Sequence, residues 1–212
     1  DRAISLDLMH AFLGLLDEEW ENANSLKDKS LVASLGAYSV IAFCGSFRGP
    51  EVFLTDLFGL AKYMEDNLKC GEKEYVIIPL MGRFKNELGD QYHLTPLIAV
   101  TKSGLNVKLW VKRLLEVRAS EKLTRGPAFA DKYGTIADST VYEREILERF
   151  QFIQAKRPEL ISADTQVLEE YGISRSFRRG ATSEARARGT NGDDIDLTNR
   201  WRNFEGARGR RP

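Results

Sequence analysis

"EYVIIPLMGRFKNELGDQYHLTPLIAV", residues 74–100, is where the apolar residues of this chain change to the two-residue step of a strand. Within it, "YVIIPL" and "HLTPLIAV" are β-rich runs, and the polar, glycine-bearing "GRFKNELGDQ" between them reads as a turn. The pattern predicts a small antiparallel unit of two or three strands within residues 73–100, with Lys85 near its tip. Strand-like runs occur only there, so the expected fold class is mainly α with a small antiparallel β-sheet.

On the N-terminal side, residues 3–25 read as an amphipathic helix with Leu8, Phe12, Leu15, Leu16 and Trp20 near one face. Residues 29–44 read as a second helix, apolar on most sides and closed by Gly45. In "SFRGPEVFLTDLFGLAKYM", residues 46–64, Pro50 suits the first turn of a new helix, because its missing N–H would be unpaired there anyway. Arg48 sits just before that helix and Glu51 within its start. On the C-terminal side, Ser103 is placed to cap a helix carrying Val107, Trp110, Val111, Leu114 and Leu115. Residues 124–139 read as loop and 139–155 as helix, with Ile146, Phe150 and Ile153 on one face. Pro158 breaks the chain, and a helix near 163–171 follows. A further helix starts near Ser174, a turn falls at Asn191-Gly192, and a short final helix runs through "DLTNRWRNFEGA".

The 212 residues fit one large domain or two small ones, here read as a single domain, 1–212. No apolar run spans a bilayer, and there is no signal peptide. Cys44 and Cys70 stand in no metal-ligand or redox spacing, which suggests a reducing, intracellular setting. His10 and His93 have no partner at ligand spacing. A turn and a helix cap account for Asp193, Asp194 and Asp196.

The formal net charge is zero, but it is not evenly spread. From Gly172 to Pro212 there are ten arginines, no lysine and five acids, a balance of +5, which leaves −5 for residues 1–171. The C-terminal end is therefore either an anion-binding surface or a solvated basic tail. Its densest part is "GISRSFRRGATSEARARG", residues 172–189, where Arg175 and Arg178 share a face of a helix start. A helix N-terminus suits phosphate, and arginine adds a fork matched to two phosphate oxygens, which lysine lacks. The competing reading pairs these arginines with Glu184, Glu169 or Glu170 as surface salt bridges.

The order of Arg48 in "FRGPE", Lys85 in "GRFKNE", Arg178 in "SFRRGATSEA" and Trp201 in "NRWR" resembles the catalytic domain of the tyrosine recombinase, or phage integrase, family. The last two segments look most like its eukaryotic, transposon-borne branch, and the resemblance runs from about residue 25 to the end. It implies that Arg48 and Arg178 hold the non-bridging oxygens of the scissile phosphate, with Glu51 the acid that accompanies the first arginine. It implies Lys85 as the general acid on the leaving 5′-oxygen and Trp201 as a hydrogen-bond donor to the phosphate. Arg179, Arg200 and Arg202 would contact DNA. The chemistry implied needs no metal and no nucleotide cofactor. The partners implied are double-stranded DNA and, in the full-length protein, further copies in a synaptic tetramer; a eukaryotic member would work in the nucleus.

Two positions depart from that pattern. Arg175 stands where the family has histidine; it can bind phosphate but cannot accept a proton near neutral pH. The family's nucleophilic tyrosine follows the tryptophan site, whereas no tyrosine follows Tyr171 here. The chain is thus expected to be C-terminally truncated, with residues 1–25 a linker helix from an absent N-terminal DNA-binding domain. Three readings remain open: a strand-transfer catalytic domain acting through a phosphotyrosine, a recombinase-derived DNA-binding protein without chemistry, and a helical module whose basic end binds an acidic protein. On the first, residues 1–212 alone do not cut DNA.

Overall fold

Ser5 opens the first helix: its hydroxyl accepts the Leu8 N–H at 3.1 Å and starts α1 (Leu6–Asn22). The computed structural model describes residues 1–82, 91–192 and 194. Ser25 caps α2 (Leu26–Cys44) in the same way through the Asp28 N–H at 3.0 Å. Because α2 is apolar all round, it is buried from Val32 to Phe43 and forms the central rod of the core. A one-turn helix, α3 (Gly49–Val52), and α4 (Leu57–Asp66) follow, then the strands β1 (Lys69–Cys70), β2 (Lys73–Gly82) and β3 (Gln91–Ile98). The chain continues through α5 (Val107–Ser120), α6 (Ser139–Lys156), the single turn α7 (Val167–Glu170) and α8 (Ser176–Ala187).

The mainly helical fold with a small antiparallel sheet is the one expected. β2 and β3 pair from Tyr75 opposite Ile98 to Gly82 opposite Gln91. β1 adds a short third strand on the other edge of β2, which the period-2 runs did not reveal. One sheet face puts Val76, Ile78, Leu80 and Leu97 into the core. The other carries Ile77 and Pro79, with Gly59 of α4 close over Pro79, and leaves Met81, Tyr92, Leu94 and Ile98 exposed.

The helices pack on α2 at short range. A Cβ on Gly36 would lie 2.0 Å from the Trp110 ring, so glycine there lets α5 press its tryptophan onto the α2 backbone. Phe12 and Phe150 meet edge to face, with centroids 5.3 Å apart, and join α1 to α6. Arg118, 2% exposed, donates to Ser30, Ser34, Glu121 and the Ala128 carbonyl, and so ties the loop after α5 to α2. Arg113 lies between the Trp20 and Trp110 rings and pairs with Asp17 at 2.6 Å.

The structure corrects several local expectations. The helix opened by Pro50 lasts one turn, because Thr55 and Asp56 leave it to bridge Leu80 and Pro127; α4 then starts afresh with Asp56 as cap. Asn106, not Ser103, caps α5 by accepting the Leu109 N–H at 2.9 Å; the Ser103 hydroxyl instead meets Thr101. The arginine helix starts at Ser176, with Arg175 at the capping position. It ends at Gly189, φ +78°, where the Thr190 N–H closes on the Ala185 carbonyl at 3.0 Å. The final helix expected through residues 196–207 lies outside the described residues. No described helix is long and apolar enough to cross a membrane.

Candidate functional site

Arg48 is fixed by the backbone on either side of it. The Glu51 carboxylate accepts the Arg48 N–H at 2.8 Å, which closes the first turn of α3. The Gly49 N–H donates to the Ser174 carbonyl at 3.1 Å, so the turn is joined to the segment that leads into α8. A Cβ on Gly49 would stand 2.7 Å from the Tyr38 hydroxyl and 2.8 Å from the Ile173 carbonyl. Glycine is what allows this approach, and it sets Arg48 beside the arginine helix although more than a hundred residues separate them in sequence.

Within the α8 region, Arg175 is exposed at the capping position and Arg178 is 5% exposed in the first turn. Arg178 Nη1 lies 3.8 Å from Glu51 Oε2, so one carboxylate serves both the Arg48 turn and Arg178. The first N–H of the helix, at Ser176, is already given to the Gly172 carbonyl at 2.9 Å. The guanidinium groups, rather than that N–H, are what this helix start offers an anion.

The N-terminal residues form the opposite wall. The Ile4 N–H donates to the Ser176 carbonyl at 3.1 Å, and a Cβ on Gly180 would lie 2.0 Å from the Ile4 carbonyl oxygen. The small residue in "RRGAT" thus admits a strap, residues 1–5, across α8. Arg179 donates to the Asp1 carbonyl, and Arg2 reaches Thr165 and Glu170.

Together these parts enclose a cleft of about 650 Å³ lined by Arg2, Arg48, Arg175, Arg178, Arg179 and Arg186, with Asp1 as its acid. Most described arginines elsewhere are matched: Arg113, Arg118, Arg144, Arg149, Arg157 and Arg188 each have a carboxylate within salt-bridge distance, and Arg125 lies over the Phe58 ring. Around the cleft, Arg2 holds Glu170, and Arg178 faces Glu51. Among the described residues, no carboxylate pairs with Arg48, Arg175 or Arg186. The salt-bridge reading holds for Arg188, which Glu184 pairs, while Glu170 is taken by Arg2. Guanidinium groups stay charged at any working pH, so the cleft is a fixed cationic site.

Of the residues singled out from sequence, Arg48, Arg175, Arg178 and Arg179 come together here. Lys85, Trp201, Arg200 and Arg202 lie outside the described residues. Arg2 and Arg186 were not singled out as site residues. Arg2 reaches the cleft only through the strap, which no local pattern signals, whereas Arg186 could have been found from its seven-residue step after Arg179. No described tyrosine lines the cleft. Tyr38 lies beneath it, and burial pushes its hydroxyl well above the ordinary phenol range. Tyr171 is buried with its ring against Phe150. Among the described residues, no cluster of His, Cys, Asp or Glu is gathered to hold a metal ion.

No family model matches the chain. No curated protein matches it either. A solved structure does: the XerH site-specific recombinase bound to its difH substrate, in a pre-cleavage complex, with a TM-score of 0.59 at 14% identity. The match covers 93% of this chain and 46% of that one, so the chain spans about half the length of the recombinase it resembles. The fold is tyrosine recombinase-like, a mainly helical body with a small three-stranded antiparallel sheet.

Proposed function

We propose that this chain is the catalytic-type domain of a DNA breaking and rejoining protein that acts through a phosphotyrosine. One observation carries the reading: Arg48, from the first quarter of the sequence, and Arg175 with Arg178, from its last fifth, line one arginine-rich cleft. A single phosphodiester placed there can be held by guanidinium groups from two separate elements. Such a clamp stabilises the extra charge that develops on the phosphoryl oxygens in the transition state. Glu51 orients the clamp by anchoring the Arg48 turn and facing Arg178.

By resemblance, Lys85 gives a proton to the departing 5′-oxygen as the tyrosine oxygen bonds to phosphorus, and Trp201 donates a hydrogen bond to the phosphate. Arg175, in the family's histidine position, binds phosphate and moves no proton. The nucleophile must stand within about 3–3.5 Å of phosphorus, opposite the leaving oxygen. No described tyrosine lines the cleft, so residues 1–212 are expected to bind duplex DNA without cutting it. Self-association of the full-length protein on DNA and, for a eukaryotic member, a nuclear site of action belong to the same proposal.

The test is a suicide duplex that traps a 3′-phosphotyrosine. Residues 1–212 should give no covalent adduct, whereas a longer natural chain carrying a downstream tyrosine should give one, and Arg178→Ala should slow its formation on the order of a hundredfold or more. An adduct with residues 1–212 would overturn the assignment of the C-terminal half. The same pair of features, Arg175 in place of histidine and no tyrosine among the described residues of the cleft, favours a second reading: a recombinase-derived DNA-binding protein. That reading takes over if the longer chain binds the duplex and forms no adduct.

A further inference from the structure

The cleft is too large, and too strongly charged, for one phosphate. Its volume of about 650 Å³ equals that of roughly twenty waters at ~30 Å³ each, whereas a phosphate group has five heavy atoms. Six arginines line it; Arg2 is held by Glu170 and Arg178 faces Glu51, and the other four stand against the single charge of a phosphodiester and the one lining acid, Asp1.

Their placement on α8 separates them into two groups. Arg178 turns into the body towards Glu51. Arg179 and Arg186 are seven residues apart, so they fall within about 20° of one flank and ~10 Å apart along the axis. Ser183, exposed, lies between them on the cleft wall. Arg186 stands about 12 Å along the axis from Arg178, whereas phosphates of one strand recur every ~3.4 Å of duplex axis. Arg186 has no carboxylate partner among the described residues, although Arg188, two residues on, is held by Glu184 at 2.6 Å. Arg188 lies about 200° round the helix from Arg186 and lines a different groove, with Phe43 and Ile98.

We infer that α8 carries a second phosphate site, formed by Arg179 and Arg186, which holds a phosphodiester further along the strand whose scissile phosphate sits between Arg48 and Arg178. The inference rests on the DNA-binding part of the function proposed above. The flank of α8 then lies along the backbone of that strand. Arg186 is a binding residue that fixes the position of the strand and touches no reacting atom.

The experiment measures equilibrium binding of residues 1–212 to a duplex of about 20 base pairs across a range of salt concentrations. Each phosphate contact contributes about 0.9 to the slope of log affinity against log salt. Arg186→Gln should lower that slope by about 0.9 and weaken binding roughly fivefold to tenfold near 0.1 M salt. Arg188→Gln, which removes the same charge from the other side of α8, should leave the slope unchanged. Both positions are exposed, so an unchanged far-ultraviolet spectrum is expected of each variant. If Arg186→Gln keeps the wild-type slope, or Arg188→Gln lowers it equally, the second site is wrong while DNA binding stands. If the wild-type chain shows no salt-dependent duplex binding, or binds polyglutamate in its place, the DNA reading itself falls.

Discussion

Glu51 is the residue on which the arginine cleft turns. It is 7% exposed, accepts the Arg48 N–H and faces Arg178 at 3.8 Å, so its charge compensates a guanidinium that has little access to water. Glu51→Gln keeps an oxygen for the Arg48 turn and removes the charge. It should lower stability by about 1–3 kcal/mol, read as a reduced denaturant midpoint at unchanged slope. Glu184→Gln, which loses only the half-buried partner of the exposed Arg188, should stay within about 0.5 kcal/mol. The two cysteines differ in the same local way. Burial pushes the Cys44 thiol up to about 12, whereas Cys70 is exposed. A thiol reagent at pH 8 should label Cys70 alone in the native protein, and both cysteines in denaturant. Because the folded protein holds the Cys44 proton more tightly than the unfolded chain does, this group's contribution is intact below pH 9 and is lost as pH rises towards 12. Stability should therefore fall with rising pH across that window, and fall less in Cys44→Ala.

At the scale of elements, the glycines at the crossings decide where the arginines stand. Gly180→Ala places a methyl group 2.0 Å from the Ile4 carbonyl oxygen and 2.9 Å from the Phe43 ring, neither of which can yield without moving the strap or α2. The expected cost is about 1–3 kcal/mol, with faster proteolysis before residue 6. Rapid cleavage there in the wild type as well would show that the strap is not held. The long elements were legible in the sequence: α1, α5 and α6 by the helical step, β2 and β3 by the strand step, and α2 by its apolar run closed at Gly45. The break between α3 and α4 was not, because it is imposed by the distant partners Leu80 and Pro127. Nor was the cap of α5, where Ser103 and Asn106 both have a suitable side chain and only the path of the loop selects between them. The helix start with Arg175 and Arg178 could be read from local spacing. Its meeting with Arg48 entered through a resemblance of order, and the place of Arg2 in the cleft and the approach of Glu51 to Arg178 needed the tertiary structure.

Over the whole molecule, the −5 of residues 1–171 and the +5 of the C-terminal end balance in sum but not along the chain. Elsewhere acids and arginines meet in pairs between helices, as with Arg149 of α6 and Glu19 of α1. At the cleft the two ends of the described chain face each other: Arg2 bonds Thr165 across a separation of 163 residues, and Ile4 pairs with Ser176. That arrangement has a consequence in time. The hairpin of β2 and β3 and the contact of α2 with α5 close over short stretches, whereas the strap and α8 meet only after nearly the entire chain has been ordered, and closing so long a loop costs more entropy. The cleft should therefore be the last part of the molecule to form. In refolding from denaturant, helical ellipticity should return first and capture of a fluorescent duplex later, and Gly180→Ala should widen the interval. A chain still being synthesised would have a nearly complete core and no assembled arginine cleft until α8 had emerged.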